Sequence, residues 1–162
     1  MHFDILTLFP DMFRGVFGDS IIKRAADNGI LSFNYVDIRD FTENKHRKVD
    51  DYAFGGGTGL VMSVQPIVDA YKSVTNGEKV FTVYMSPQGK VFNQSMAREF
   101  AKKKRMVILC GHYEGIDERA IEEIVDMEVS IGDFVLTGGE IPAMALVDSV
   151  ARMIDGVLPN EE

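Results

Sequence analysis

Apolar and polar positions alternate along this chain in two rhythms, one of period two and one near three and a half. Phe3 to Phe9 reads as a first strand, and Leu31 to Ile38 alternates as a second. Between them Asp19 can cap a helix through Ile21, Ile22 and Ala25 that stops at Asn28-Gly29. From Arg39 to Gly59 the pattern dissolves into charge and glycine. That stretch of roughly twenty residues exceeds ordinary connections and predicts a functional or mobile loop. Periodicity resumes with Ser63, which can cap a helix carrying Val64, Ile67, Val68 and Tyr71. The strand Val80 to Met85, a helix from about Asn93 to Lys103, and the strand Met106 to Cys110 follow. A helix over Glu118 to Val125, the strand Met127 to Ile131 and a long helix from about Gly139 to Ile154 complete the pattern.

Strand and helix alternate without repeats or low-complexity stretches, which predicts an α/β class with a mainly parallel sheet and helices on both faces. In such sheets ligands bind beyond the carboxyl ends of the strands. Three successive strands here run out into glycine-bearing polar loops, at Ser86-Pro87-Gln88-Gly89, at 111–115 and at 132–139. Any one of them alone is better explained as a tight turn; three together can wall one pocket, with glycine letting the backbone approach a ligand.

Length and composition narrow the class. The chain has 162 residues, 46% apolar and 26% charged, the balance of one ordinary globular domain. No apolar run approaches the roughly 18 to 20 residues of a membrane span, and the N-terminus lacks a signal-peptide pattern. A single cysteine excludes an internal disulfide, and three scattered histidines give no zinc site of familiar spacing. These features fit a cytoplasmic protein. The net charge of −8 argues against a self-sufficient nucleic-acid binder. Its distribution is uneven: residues 106–162 hold two basic and thirteen acidic side chains, whereas residues 51–105 hold eight basic and four acidic. The basic runs at 45–48 and 102–105 could face a polyanion locally, although solvated loops or helix ends explain them as well.

Most chemical motifs fail. Gly55-Gly56-Gly57-Thr58-Gly59 does not match a dinucleotide fingerprint, because Leu60 or Met62 stands where the third glycine belongs, and no Lys-Ser or Lys-Thr follows for a phosphate loop. A hinge or a backbone-ligand loop remains. No Gly-x-Ser-x-Gly elbow is present, and Cys110, ending an apolar strand, reads as a buried small hydrophobe. Glu114 and Asp117 flank Gly115 at a strand end, where carboxylates can accept hydrogen bonds from a base, a ribose or an amine. Asp117 reads equally as the cap of the next helix. Arg152 lies four residues after Asp148, the spacing of an intrahelical ion pair. Ile141 to Val147 is apolar on all sides, which implies burial in the core or against a second subunit.

The strings YMSPQG at 84–89, GHYEGIDER at 111–119 and SIGDFVLTGGEIPA at 130–143, with HRKVDD at 46–51 and the glycine cluster, resemble the bacterial tRNA (guanine-N1)-methyltransferases, the TrmD family. The resemblance covers the whole chain. It implies a SPOUT-type domain over residues 1–160 with a C-terminal trefoil knot, and the absence from this chain of the family's linker and small helical C-terminal domain, so that this chain alone is expected to be inactive. It further implies S-adenosylmethionine bound in the knot, an obligate homodimer with shared active sites, and magnesium in catalysis by the full-length enzyme. The implied reaction is methylation of N1 of the guanosine at tRNA position 37, with tRNA as partner and no membrane. By motif position the cofactor contacts fall on Tyr84, Ser86, Pro87, Gly111, Tyr113, Gly115, Ile131, Gly132, Phe134, Leu136, Gly138 and Gly139. Arg152 matches the family's catalytic arginine and Glu114 its guanine-contacting carboxylate, while the general-base aspartate falls beyond residue 162.

The absent triad, thiolate and zinc site agree with that chemistry, because methyl transfer from a sulfonium is an in-line displacement driven by alignment and desolvation. Removing the guanine N1 proton leaves charge toward O6 and calls for a base and a nearby cation. Ala53-Phe54 stands where the family often has Pro-Tyr, Thr58 where it often has proline, and His112 where histidine and arginine alternate. Two other readings stay open: another SPOUT RNA methyltransferase acting on ribose or ribosomal RNA, and a nucleotide- or RNA-binding module without catalysis.

Overall fold

Residues 1–52, 55 and 59–159 are described by the computed structural model of the chain. It runs through β1 (His2–Thr7), α1 (Asp11–Phe17), α2 (Ser20–Asp27), β2 (Ser32–Asp37), a 3-10 turn (Ile38–Phe41), β3 (Asp50–Tyr52) and β4 (Leu60–Met62). It continues through α3 (Val64–Thr75), β5 (Thr82–Val91), α4 (Gln94–Ala101), β6 (Arg105–Cys110), α5 (Glu118–Ile124), β7 (Met127–Ser130) and α6 (Glu140–Ala151). Five strands form one parallel sheet in the order β2-β1-β6-β5-β7, and β3 and β4 make a separate antiparallel pair. The α/β class expected from the alternation is the class observed.

Burial on both faces explains why the central strands read as near-continuous apolar runs. Phe3, Ile5, Val83, Met85, Ile108 and Val129 face the side covered by α1, α2, α4 and α6. Leu6, Tyr84, Val107 and Leu109 face α3 and α5. On the first side Phe17 stacks on Phe33 with ring centroids 4.9 Å apart, and Phe13 on Tyr35 at 5.8 Å. Two helix starts carry the caps the sequence predicts, Asp19 accepting from the Ser20 amide and Asp117 from the Arg119 amide, and Asn93 caps α4 by accepting from the Met96 amide. Ser63 holds the cap position of α3 but makes no side-chain bond there.

Three segments depart from the pattern of the sequence. Helix α1 was not anticipated; Gly15 inside it and its seven-residue length hide it, although Phe13 and Phe17 sit four apart on its buried face. The stretch 39–59 is not a bare loop, because the 3-10 turn opens it and β3 pairs with β4. Of the glycine cluster within it only Gly55 and Gly59 are described; Ala53-Phe54 and Thr58 lie outside the described residues. Finally, Ser86 to Gly89 does not end its strand. Met85 and Lys90 both pair with Val129, so the chain leaves the sheet after Met85 and rejoins the same neighbour.

Gly89 is the pivot of that return, since a Cβ there would lie 2.5 Å from backbone atoms of Glu128 and Val129. Replacing Gly89 with alanine is expected to cost about 1–3 kcal/mol, the range for overpacking against a rigid neighbour. Urea unfolding checks it, and an unchanged midpoint would show that β7 yields freely.

At the opposite end of the sheet Asp4, 1% exposed, accepts from Arg105 Nε at 3.0 Å, Asn34 Nδ2 at 3.2 Å and His2 Nε2 at 2.9 Å. Arg105 also donates to the Val74 carbonyl. Among the described residues no helix is long and apolar enough to cross a membrane.

Candidate functional site

The carboxyl ends of β6 and β7 converge with the excursion of β5 after Met85, and the segments there enclose a cavity of about 570 Å³. Tyr84, Ser86, Pro87, Gly111, Tyr113, Gly115, Ile131, Phe134, Leu136, Gly138 and Gly139 all line it. Gly132 does not, although it belongs to the same loop and its α-carbon packs on the Phe134 ring, which a Cβ would meet at 2.5 Å.

Backbone proximity explains the glycines. A Cβ on Gly138 would fall 2.3 Å from the His112 imidazole, and one on Gly139 would fall 3.0 Å from the Cys110 α-carbon. The Gly139 amide donates to the Gly111 carbonyl at 3.0 Å, so residues 138–139 pass over the end of β6 backbone against backbone. Tyr113 holds a left-handed backbone at φ 59° and is half exposed over the cavity. Left-handed non-glycine residues are uncommon and collect at functional turns.

The β3–β4 hairpin braces the second loop. The Met62 amide donates to the Gly115 carbonyl at 2.9 Å, the Asp117 amide to the Met62 carbonyl at 3.0 Å, and the Glu114 amide to the Leu60 carbonyl at 3.1 Å. Gly59 lies directly against the Glu114 carboxylate, which lines the cavity as the sequence suggests. Arg152 does not line it. It is exposed at the C-terminal cap of α6, and a twelve-residue helix about 18 Å long separates it from the first turn of α6 at the cavity. Nor does it pair with Asp148: its side chain makes no hydrogen bond or ion pair among the described residues, and only its backbone amide bonds the Asp148 carbonyl. A single chain therefore does not bring the two proposed catalytic residues together.

The cavity is anionic. Glu114, Glu118 and Glu128 line it, with no lysine or arginine among the described lining residues. Burial raises the Glu128 carboxyl above its ordinary range, with a further push from Glu118. Burial, then Glu128 and Glu118, raise the Tyr84 phenol to about 12. Burial also raises the Cys110 thiol well above its ordinary value, with Glu140 adding to the shift, which makes it the inert hydrophobe the sequence predicts. No group of three or more His, Cys, Asp or Glu side chains among the described residues is placed to hold a metal ion.

Glu140 was missed. As an acidic residue opening α6 it reads as a helix-dipole partner, yet it is 1% exposed, accepts from His112 Nε2, and leaves Oε2 buried without a partner. Phe9 covers the outer side of His112 with ring centroids 4.9 Å apart. Burial raises the Glu140 carboxyl above its ordinary 4.5, and the bond to His112 offsets part of the shift. An acid whose folded-state value is raised contributes stability that is complete below its unfolded value and is lost as pH rises through the folded one. Glu140→Gln cannot ionise. Its melting temperature relative to the native protein is therefore expected to improve as pH rises from about 4.5 toward neutrality. A difference that stays flat with pH would show that Glu140 titrates as a solvated glutamate.

The sequence pattern described as tRNA (Guanine-1)-methyltransferase TrmD matches residues 1–162. A tRNA (guanine-N(1)-)-methyltransferase of Ruminiclostridium cellulolyticum is 59% identical over 163 residues, covering 99% of this chain and 70% of that protein. One of Clostridioides difficile is 53% identical over 165 residues, covering 100% of this chain and 71% of its own length. The crystal structure of tRNA (m1G37) methyltransferase from Aquifex aeolicus matches with a TM-score of 0.90 at 41% identity, covering 99% of this chain and 73% of that one.

Proposed function

The chain belongs to the TrmD family of tRNA (guanine-N1)-methyltransferases, and on that premise we propose that residues 1–160 are the cofactor-binding, dimer-forming domain of an enzyme that methylates N1 of guanosine 37 in tRNA. Use of S-adenosylmethionine follows from the family. The observation that carries the assignment to this cavity is the convergence there of every cofactor residue expected from the motifs except Gly132. The fit is physical as well as positional. About 570 Å³ is the size of a small-molecule site, Tyr84, Ile131, Phe134 and Leu136 give it apolar walls, and its carboxylates suit a cation.

Bound S-adenosylmethionine supplies a methyl group on a positively charged sulfur. Tyr84, Ile131, Phe134 and Leu136 exclude water, and at Gly111, Gly138 and Gly139 the wall is main chain with no room for a Cβ. Glu114, fixed by the hairpin, is placed to accept a hydrogen bond from the guanine edge. Arg152 is assigned the stabilisation of charge at guanine O6, and its distance from the cavity requires a second chain to present it. Exposed Phe9, Met12 and Val16 on and before α1, with Ile141 on α6 and the loop at Phe134 to Leu136, provide an apolar surface for that second copy. The trefoil threading belongs to this proposal, supported by the passage of residues 138–139 over the end of β6, and so does a cytoplasmic location, where the tRNA substrate is found. Magnesium meets no fitting ligand group among the described residues, and no step is assigned to it.

Calorimetric titration with S-adenosylmethionine and S-adenosylhomocysteine, with mass by light scattering, tests the cofactor site and the dimer. Saturable binding of both by a dimer is expected; a folded monomer that binds neither would overturn the reading. Methyl transfer to tRNA bearing guanosine or adenosine at position 37, in the protein at the full length of its relatives, tests the substrate. Transfer to ribose, or equally to both tRNAs, would favour a different RNA methyltransferase.

A further inference from the structure

We propose that Glu118 and Glu128 form a subsite of the cavity that recognises the positive charge of the cofactor, a recognition that rests on the reading of this cavity as its binding site. Glu128 pairs with Tyr84 across β7 and β5, so the two side chains stand on one face of the sheet. That face is the one α5 covers, and Glu118 is the first residue of α5. All three line the cavity.

Asp117, beside Glu118, is neutralised by Arg119 at 2.8 Å, and Asp126, two residues before Glu128, by Lys79 at 2.9 Å. Glu118 and Glu128 have no hydrogen bond or ion pair among the described residues. The single basic side chain among the described lining residues, His112, is engaged by Glu140.

An independent observation points to a ligand at the same place. Tyr84 is 6% exposed and its hydroxyl has no hydrogen-bond partner among the described residues. That hydroxyl lies 3.1 Å from where a Gly111 Cβ would stand and 3.7 Å from the Gly115 position, at the wall of the cavity. With the rest of the side chain buried, that hydroxyl is left open to the cavity, where a ligand supplies its partner. Glu128, partly buried, and Glu118, exposed beside it, repel, and one positive charge relieves them. S-adenosylmethionine carries two such charges, the sulfonium and the α-ammonium.

Calorimetry on the native chain, Glu118→Gln, Glu128→Gln and the double variant separates them, using S-adenosylmethionine, S-adenosylhomocysteine, which lacks the sulfonium charge, and methylthioadenosine, which lacks both charges. Each single change is expected to weaken S-adenosylmethionine about tenfold, the effect of one charged hydrogen bond, with methylthioadenosine unchanged within about twofold. An equal loss for S-adenosylhomocysteine assigns the subsite to the ammonium, and an unaffected S-adenosylhomocysteine assigns it to the sulfonium. The proposal fails if the double variant binds S-adenosylmethionine as the native chain does. It fails also if all three ligands weaken alike, which marks a structural effect. If the native chain binds none of the three, the cofactor reading itself falls, and the subsite with it.

Discussion

Arg152→Ala is expected to slow methyl transfer about 10²–10³-fold in the protein at the full length of its relatives, the usual cost of removing one group that stabilises transition-state charge. Affinity for S-adenosylmethionine should stay within about twofold, because Arg152 does not line the cavity and its side chain holds no other residue in place. Arg152→Lys should restore part of the rate, since an ammonium keeps the charge but loses the planar fork of donors. Single-turnover methylation of tRNA, paired with calorimetry, separates the two effects. A loss below tenfold, or a loss of cofactor affinity that matches the loss of rate, would remove Arg152 from the chemical step.

The second large effect concerns the other end of the sheet. Asp4 ties β1 to β6 through Arg105, to β2 through Asn34, and to His2 beside it. Its removal strands donors that have no other acceptor of the same strength. Asp4→Ala is expected to cost about 3 kcal/mol, the low end for breaking a buried ion pair, because Arg105 is partly exposed and keeps its bond to Val74. Urea unfolding at constant m-value measures it. A loss below about 1 kcal/mol would show that water replaces the carboxylate. Asp4 lies in the amino-terminal half of β1 and does not line the cavity, so the folded variant should bind S-adenosylmethionine as the native chain does.

How much could be read from residues alone depended on whether a feature is local. Strands such as Met106 to Cys110 were legible because burial on both faces writes a continuous apolar run. The caps Asp19 and Asp117 were legible because each acts on an amide one or two residues away. The loops at 111–115 and 132–139 were legible as pocket walls because glycine and strand ends coincide there. The excursion at 86–89 was not, since its return depends on the pairing partner, Val129, some forty residues on. Glu140 was equally hidden: nothing beside it in sequence announces that His112 will reach it or that its second oxygen will be sealed from water. Arg152 was named by resemblance, and only the fold shows that its own chain keeps it away from Glu114.

The passage of Gly138-Gly139 over the end of β6 bears on how this site could escape an inhibitor. Resistance to a competitive ligand ordinarily arises by changing a contacting side chain, yet along this stretch the wall is main chain. Any residue substituted at Gly111, Gly138 or Gly139 drives a Cβ toward Tyr84, His112 or Cys110 respectively. A compound that packs against this main chain would leave the organism few exchanges that spare the native ligand.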